Sequence, residues 1–380
     1  MGRTSFAAGL AVLLLMVFLL IYQNSGAVET SGTEITVYKT GYCFDTIVTL
    51  TAYTSQSESE EASQILEDAL LLCQEYEAKY LDRFDETSEV GAINAAQKRA
   101  ISEDEITGDV TDHAVAADGR SETAMMAEYS YEVSDVCRDL TEVGLYYYEL
   151  SEGTFDLTIT PLSDLWNVTE EDFSLPSAEQ VAEAKALVGS ERVSLSGSIL
   201  TLGEGQQLNF GGIAKGYMCE VLRQFFVEND LSHVIVNLGG NVFIMGSEDD
   251  YTVAIADPFS ENYAATVSLR EGYVVTSGIY ERGQEIEGVW YHHIIDPSTG
   301  YPVDTEIVSA TVVMDTSGDP DSAVAWHSDV LSTIFVLTRT QEGAKAFWQR
   351  LKAQEGYQVL SQVLLVMEDG TVIILDESSE

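Results

Sequence analysis

Positive charge is scarce in this chain. Its 380 residues hold 18 Lys and Arg against 63 Asp and Glu, a formal net charge of -45. A surface of that sign repels nucleic acid and anionic lipid, which excludes a DNA- or RNA-binding role. Closely spaced cysteines are also missing. Cys43, Cys73, Cys137 and Cys219 lie far apart, so no zinc site of the usual ligand spacing can be drawn. Neither common phosphate loop is present: no Gly-x-x-x-x-Gly-Lys-Ser/Thr occurs, and no Gly-x-Gly-x-x-Gly follows a strand. No internal repeat is visible. Any anionic ligand must therefore be met by a local pocket of donors, a cation, or both.

What is present is an ordinary folding composition, 45% hydrophobic, in a chain long enough for one large core or two modest ones. Residues 6–22 carry no charge and follow Arg3, with Ser25-Gly26-Ala27 as a small-x-small site just downstream. Residues 1–27 read as a signal peptide or signal anchor, and the remainder as exported to the extracytoplasmic face of the membrane, tethered or released. No cysteine follows the apolar run directly, so a lipoprotein anchor is not supported. Cys73, Cys137 and Cys219 fall on helical core positions and read as free buried thiols.

Residues 35–38 and 48–53 read as strands, the second by its alternation of Val48, Leu50 and Ala52 with polar neighbours. A helix is expected from Glu60, and another over Val133, Val136, Leu140 and Val143. Residues 96–123 are polar, acidic and aperiodic, and read as a mobile surface insertion. Ser177 and Gln180 form a capping-box pattern that opens a further helix. From Arg192 onward the chain is rich in strands: a hairpin at Ser196-Gly197, then 233–237, 242–246, 251–256, 266–269, 273–276 and 308–314. Helices are expected at 322–337 and 342–353, with two closing strands ending at Leu375. Strands and helices alternate without a βαβ rhythm, which predicts an α+β fold of mixed or antiparallel sheets flanked by helices. Residues 28–380 are taken as one domain.

Six short segments carry the candidate chemistry. Ser88-Glu89, with Ile93-Asn94 beyond, is expected on a loop, where Asn is commonly structural. Residues 153–162 (GTFDLTITPL), with Trp166 behind, set Asp156 and Thr158 against an apolar wall that suits a flat heterocycle; a strand exit stopped by Pro161 explains them as well. Residues 208–217 (LNFGGIAKGY) join a strand to an amphipathic helix, and their glycines let the backbone approach something closely. Asn237-Leu238-Gly239-Gly240-Asn241 reads as a glycine turn between strands. Ser277, Tyr280 and Arg282 lead to His292-His293 and an Asp-Pro-x-Thr-Gly turn; arginine suits phosphate, and histidine suits proton transfer. On a helix, Asp329 and Thr333 project from one face four residues apart. That all-oxygen pair favours Mg²⁺, although a capping Asp on a polar face has the same spacing.

Together these segments resemble the FAD:protein FMN transferase (ApbE) family, over a stretch from Phe44 to Val336. The resemblance implies an ApbE-like flavin transferase fold. It implies FAD as substrate, Mg²⁺ as cofactor, and FMN passed through a phosphoester to Thr or Ser of an exported acceptor flavoprotein, with AMP leaving. By the same resemblance Asp329, Thr333 and a carbonyl near Gly212 would ligate the metal. Asn94, Asp156, Thr158, Asn209, Lys215, Asn237, Ser277, Tyr280 and Arg282 would line the FAD site, and His293 would take the acceptor's proton beside the catalytic Asp329. A Mg²⁺-dependent FAD pyrophosphatase and a non-catalytic FAD-binding protein share much of this pattern. The chain departs from the family in its missing anchor cysteine, its long acidic insertion and its doubled histidine.

Overall fold

A computed structural model describes residues 34–107, 128–170, 172–246 and 249–378. Strands β1 (Glu34–Cys43) and β2 (Thr46–Ser55) lead into α1 (Ser59–Tyr76). Then come α2 (Glu89–Thr107), β3 (Glu128–Glu132), α3 (Asp135–Leu150), α4 (Thr160–Leu165), α5 (Ala178–Ala186), β4 (Ser194–Ser196) and β5 (Ile199–Gly203). Helix α6 (Ala214–Glu228) precedes β6 (Val234–Leu238), β7 (Asn241–Met245), β8 (Tyr251–Ala256), β9 (Tyr263–Leu269) and β10 (Gly272–Gly278). The short strands β11 (Gly283–Ile286), β12 (Val289–His292), β13 (Ile295–Asp296) and β14 (Tyr301–Pro302) follow. The chain continues with β15 (Ile307–Asp315), α7 (Ser328–Leu337), α8 (Gln341–Lys352), β16 (Leu360–Met367) and β17 (Val372–Leu375).

The chain forms two compact units that interleave in sequence. The first takes residues up to Gln74, Gly212–Glu281 and Asp304–Glu380; the second takes Glu75–Gly211 and Arg282–Val303. In the first, an eight-stranded sheet runs β1-β2-β6-β7-β10-β15-β16-β17, every neighbour antiparallel. One face of its central strands packs Ile235, Val242, Ile244, Val274 and Val313 against Val253, Ile255, Val267 and Leu269 of the β8–β9 ribbon. Such near-continuous apolar strands as β7 and β15 are buried on both faces, and α7 lies against β10 and β15. The second unit carries the three-stranded sheet β3-β5-β4 and the two ribbons β11–β12 and β13–β14. Its small core is Leu162, Trp166, Val181 and Ile295, with Tyr291 packed against it.

The antiparallel α+β expectation holds. Three local expectations do not. Ser88-Glu89 is no loop but the start of α2, and the polar stretch from residue 96 stays helical to Thr107; residues 108–123 lie outside the described residues. Ala92, Ala95, Ala96 and Ala100 are strong helix formers that need no apolar stripe, which is why periodicity missed them. The helix expected from residue 322 begins at Ser328, after a 3-10 turn at Ala325–His327. Residues 1–33, including the apolar run, also lie outside the described residues. Among those described, no helix is long and apolar enough to cross a membrane.

Candidate active site

The glycine-lysine run behaves as its composition asks, with one change. No regular strand precedes it: β5 ends at Gly203, Gly205 takes φ +73°, and Gln207 makes only a single parallel bridge to Ile159. Helix α6 then starts without a side-chain cap from Ile213. Its cap comes from another helix. The Gly216 N–H donates to Asp329 Oδ2 at 3.1 Å, and Lys215 Nζ stands 3.4 Å from Asp329 Oδ1. A carboxylate at a helix N-terminus is favoured by the exposed N–H groups and the dipole. Gly216 is what permits the approach: a Cβ there would meet the Trp326 carbonyl oxygen at 2.2 Å and Asp329 Cβ at 2.9 Å.

Asp329 is almost wholly buried, at 2% exposure. Thr333 lies one turn further along α7, and Ser277 of β10 ties that turn down. The Ser277 Oγ is 2.7 Å from Ser332 Oγ and 3.1 Å from Thr333 Oγ1, while Ser332 Oγ donates to the Asp329 carbonyl at 2.8 Å. Burial, with the Asp329 charge added, pushes the nearby Cys219 thiol well above its ordinary value, so it stays neutral. All four cysteines are buried and free. The groups gathered here are the Asp329 carboxylate, the Ser277, Ser332 and Thr333 hydroxyls and the Lys215 ammonium. Among the described residues no three His, Cys, Asp or Glu side chains converge as metal ligands. A single carboxylate among oxygen donors fits Mg²⁺, which keeps waters and takes substrate phosphates to complete its shell. It does not fit zinc.

Two further residues singled out from sequence lie in the same unit. Asn237 Oδ1 accepts the Gly240 N–H at 3.1 Å, closing a turn whose Gly239 and Gly240 take φ +61° and +97°. The Tyr280 ring lies on Gly278, where a Cβ would come within 2.4 Å of it, and burial raises the Tyr280 hydroxyl well above its ordinary value.

In the second unit, Asp156 and Thr158 are locked into their own loop. Asp156 Oδ1 accepts from the Thr158 N–H (2.7 Å), the Thr158 hydroxyl (2.6 Å) and the Ser190 hydroxyl (2.7 Å), and Oδ2 accepts from the Ser190 N–H (2.9 Å). Asn94 is committed in the same way, donating to the Leu208 carbonyl at 2.9 Å and accepting the Leu208 N–H at 2.8 Å. These three side chains shape the backbone. Half-buried Asn209 instead folds its Oδ1 onto the Gly211 N–H at 2.9 Å, at the entry to the glycines.

Burial separates the two histidines. His292 is 3% exposed; its Nε2 donates to the Val303 carbonyl (3.2 Å) and its Nδ1 accepts the Ile294 N–H (3.3 Å). Burial drives its pKa down to about 4, so it is a neutral structural residue. His293 is exposed, with Nδ1 3.2 Å from the Arg282 carbonyl. A carbonyl only accepts, so Nδ1 carries the proton in that bond and Nε2 is the basic nitrogen. The next turn is held by buried Asp296, which accepts from the Ser298 N–H and hydroxyl at 2.9 and 2.7 Å. The Gly216 N–H and Ser332, which complete the Asp329 environment, were not foreseen as partners. The i+3 spacing of Ser332 from Asp329 was the one available signal.

Fold and site thus define an antiparallel α+β protein with a buried aspartate and an oxygen-donor cluster at a glycine-lysine helix start. The ApbE family profile matches residues 44–357. The chain belongs to the ApbE family. It is 32% identical over 204 residues to an FAD:protein FMN transferase of Klebsiella pneumoniae (strain 342), covering 52% of this chain and 61% of that one. It is 33% identical to a protein of the same name from Treponema pallidum (strain Nichols), covering 48% and 56%. The chain thus spans less than two thirds of the length of these relatives. Among solved structures, the ApbE protein of Thermotoga maritima superposes with a TM-score of 0.70 at 26% identity, covering 90% of this chain and 98% of that one. The apo flavinyl transferase ApbE of Pseudomonas stutzeri has the same fold, with a TM-score of 0.68 at 21% identity over 91% and 96%.

Proposed function

We propose that this protein transfers FMN from FAD to a Ser or Thr hydroxyl of an exported acceptor protein and releases AMP. The observation that carries this reading is the buried Asp329, set between the Gly216 N–H, Lys215 and the Ser277-tethered Thr333. Asp329, Thr333 and a carbonyl near Gly212 would hold Mg²⁺. Bound there, the cation would neutralise the pyrophosphate and stabilise charge on the transferring and leaving oxygens.

The remaining work falls to the chain's own groups. Lys215 supplies a fixed ammonium for a phosphate oxygen. His293 Nε2 accepts the proton of the acceptor hydroxyl as its oxygen bonds to the phosphorus of the FMN half. The phosphoanhydride bond to the AMP phosphate breaks, and AMP carries away the electron pair. Asn209, Asn237, Tyr280 and Arg282 offer side chains to FAD, whereas Asn94, Asp156 and Thr158 act by fixing the loops around them. The apolar run at residues 6–22 supports export.

The test is the full chain in detergent with FAD, Mg²⁺ and an apo-acceptor, following acceptor mass together with AMP. The expected result is a gain of one FMN per acceptor with one AMP released. AMP and free FMN with no change in acceptor mass would identify a hydrolase instead, and intact FAD would leave only flavin binding.

A further inference from the structure

The β11–β12 ribbon ends at Arg282 and His293 and is otherwise unaccounted for. Its register pairs Gly283 with His292, Gln284 with Tyr291, Glu285 with Trp290 and Ile286 with Val289. The connection is the two-residue turn Glu287-Gly288, with φ +52° and +81°, the left-handed pair that a tight hairpin turn requires. With a two-residue turn, the flanking pair Ile286–Val289 exchanges hydrogen bonds, and so do alternate pairs beyond it. The His293 N–H donating to the Arg282 carbonyl at 3.2 Å continues that alternation one pair past the ribbon. Glu285 therefore lies at a non-bonded pair, and its N–H and C=O point outward from β11.

No third strand lies beside β11 among the described residues. The two faces of the ribbon differ. Tyr291 stacks on Trp166 with ring centres 5.7 Å apart, which fixes one face to the small core. The opposite face presents Trp290, laid across Gly283, where a Cβ would meet its ring at 2.5 Å. Trp290 of β12, across the ribbon from Glu285, is 44% exposed. The outer edge of β11 is polar and unpaired, and an open edge beside an exposed indole can take another strand.

We infer that the outer edge of β11 is where the acceptor protein docks, an extended segment of it adding as a third strand beside Gly283 and Glu285. Main-chain bonds to Glu285 supply affinity without dictating sequence, and Trp290 offers an apolar anchor. The added strand lies beside Arg282 and two strand spacings, about 10 Å, from the His293 backbone, so a hydroxyl carried just past the edge must turn across the foot of the ribbon to meet the proposed base. Glu285 and Glu287 give the edge negative charge, so the segment is neutral or basic. This inference rests on the transferase reading, which requires a protein at His293.

The probe is the apo form of an exported flavoprotein domain whose FMN is phosphoester-linked to threonine. Glu285→Pro removes the outward N–H and leaves the ribbon's own ladder intact; Glu285→Ala keeps that N–H. The expected result is an acceptor KM at least tenfold higher for Glu285→Pro, with kcat, FAD affinity and acceptor-free AMP release unchanged. Glu285→Ala should stay within about threefold of the unmodified chain. An unchanged KM in Glu285→Pro overturns the inference. Should that variant not fold, hydrogen exchange on the unmodified chain decides: the Glu285 amide must slow when acceptor is added, and an unaltered rate refutes docking. Transfer with no slowing sinks the docking site alone, whereas no transfer to any protein sinks the transferase reading and this inference together.

Discussion

Two neighbouring histidines show how much a single position decides. His292 and His293 differ by one residue, yet one is sealed against the Val303 carbonyl and the other is exposed with Nε2 as its basic nitrogen. His293→Ala is expected to lower the transfer rate by about 10²- to 10⁴-fold while FAD affinity is retained, as judged by flavin fluorescence titration. His292 governs stability instead. Its folded pKa of about 4 lies below its ordinary 6.5, so the unfolded chain takes up the proton first as pH falls. The stabilisation is complete above about pH 6.5 and drains away towards pH 4, a total on the order of 3 kcal/mol for this one group. His327, lowered to about 3 by burial, adds in the same direction. Urea unfolding at pH 7.5 and 5 should show the loss, and His292→Gln should reduce it. At Gly216 a single methyl would overlap the Trp326 carbonyl, and Gly216→Ala should cost at least about 2 kcal/mol in the same assay. The sequence already marked Gly216 as a site of close approach; it could not say that the neighbour would be the segment ahead of α7, because that contact spans more than a hundred residues.

Elements were legible in proportion to their periodicity. β2 and α3 declared themselves through alternation and an apolar stripe, and the Ser177–Gln180 capping box closes both of its hydrogen bonds on α5. Ser177→Ala should therefore cost about 1 kcal/mol, measurable by chemical denaturation. Helix α2 was hidden because its alanines and charges favour helix without patterning a face, and the start of α7 was misplaced because the turns at residues 316–327 mimic helical spacing. Within the candidate site, the Asp329–Thr333 spacing could be read directly from the helical repeat. The commitment of Asn94 to Leu208, and of Asp156 to Ser190, could not, because each depends on a partner distant in sequence.

At the scale of the molecule, the division into two interleaved units was invisible in sequence, since no composition shift marks where the chain crosses from one to the other. The charge was plain. A net charge of -45 penalises the compact state through self-repulsion, so added monovalent salt should raise the melting temperature by several degrees. A melting curve insensitive to salt between 20 and about 500 mM would show that the charges are locally compensated. The same charge makes a bound cation the natural way to hold a pyrophosphate. The most direct test of that cation is the Mg²⁺ dependence of FMN transfer in the unmodified chain, Asp329→Asn and His293→Ala. A saturable Mg²⁺ response is expected in the unmodified chain and lost in Asp329→Asn, with a slow rate at the same half-saturating Mg²⁺ concentration in His293→Ala. A normal Mg²⁺ response in Asp329→Asn would place the metal elsewhere and rule out Asp329 as its ligand.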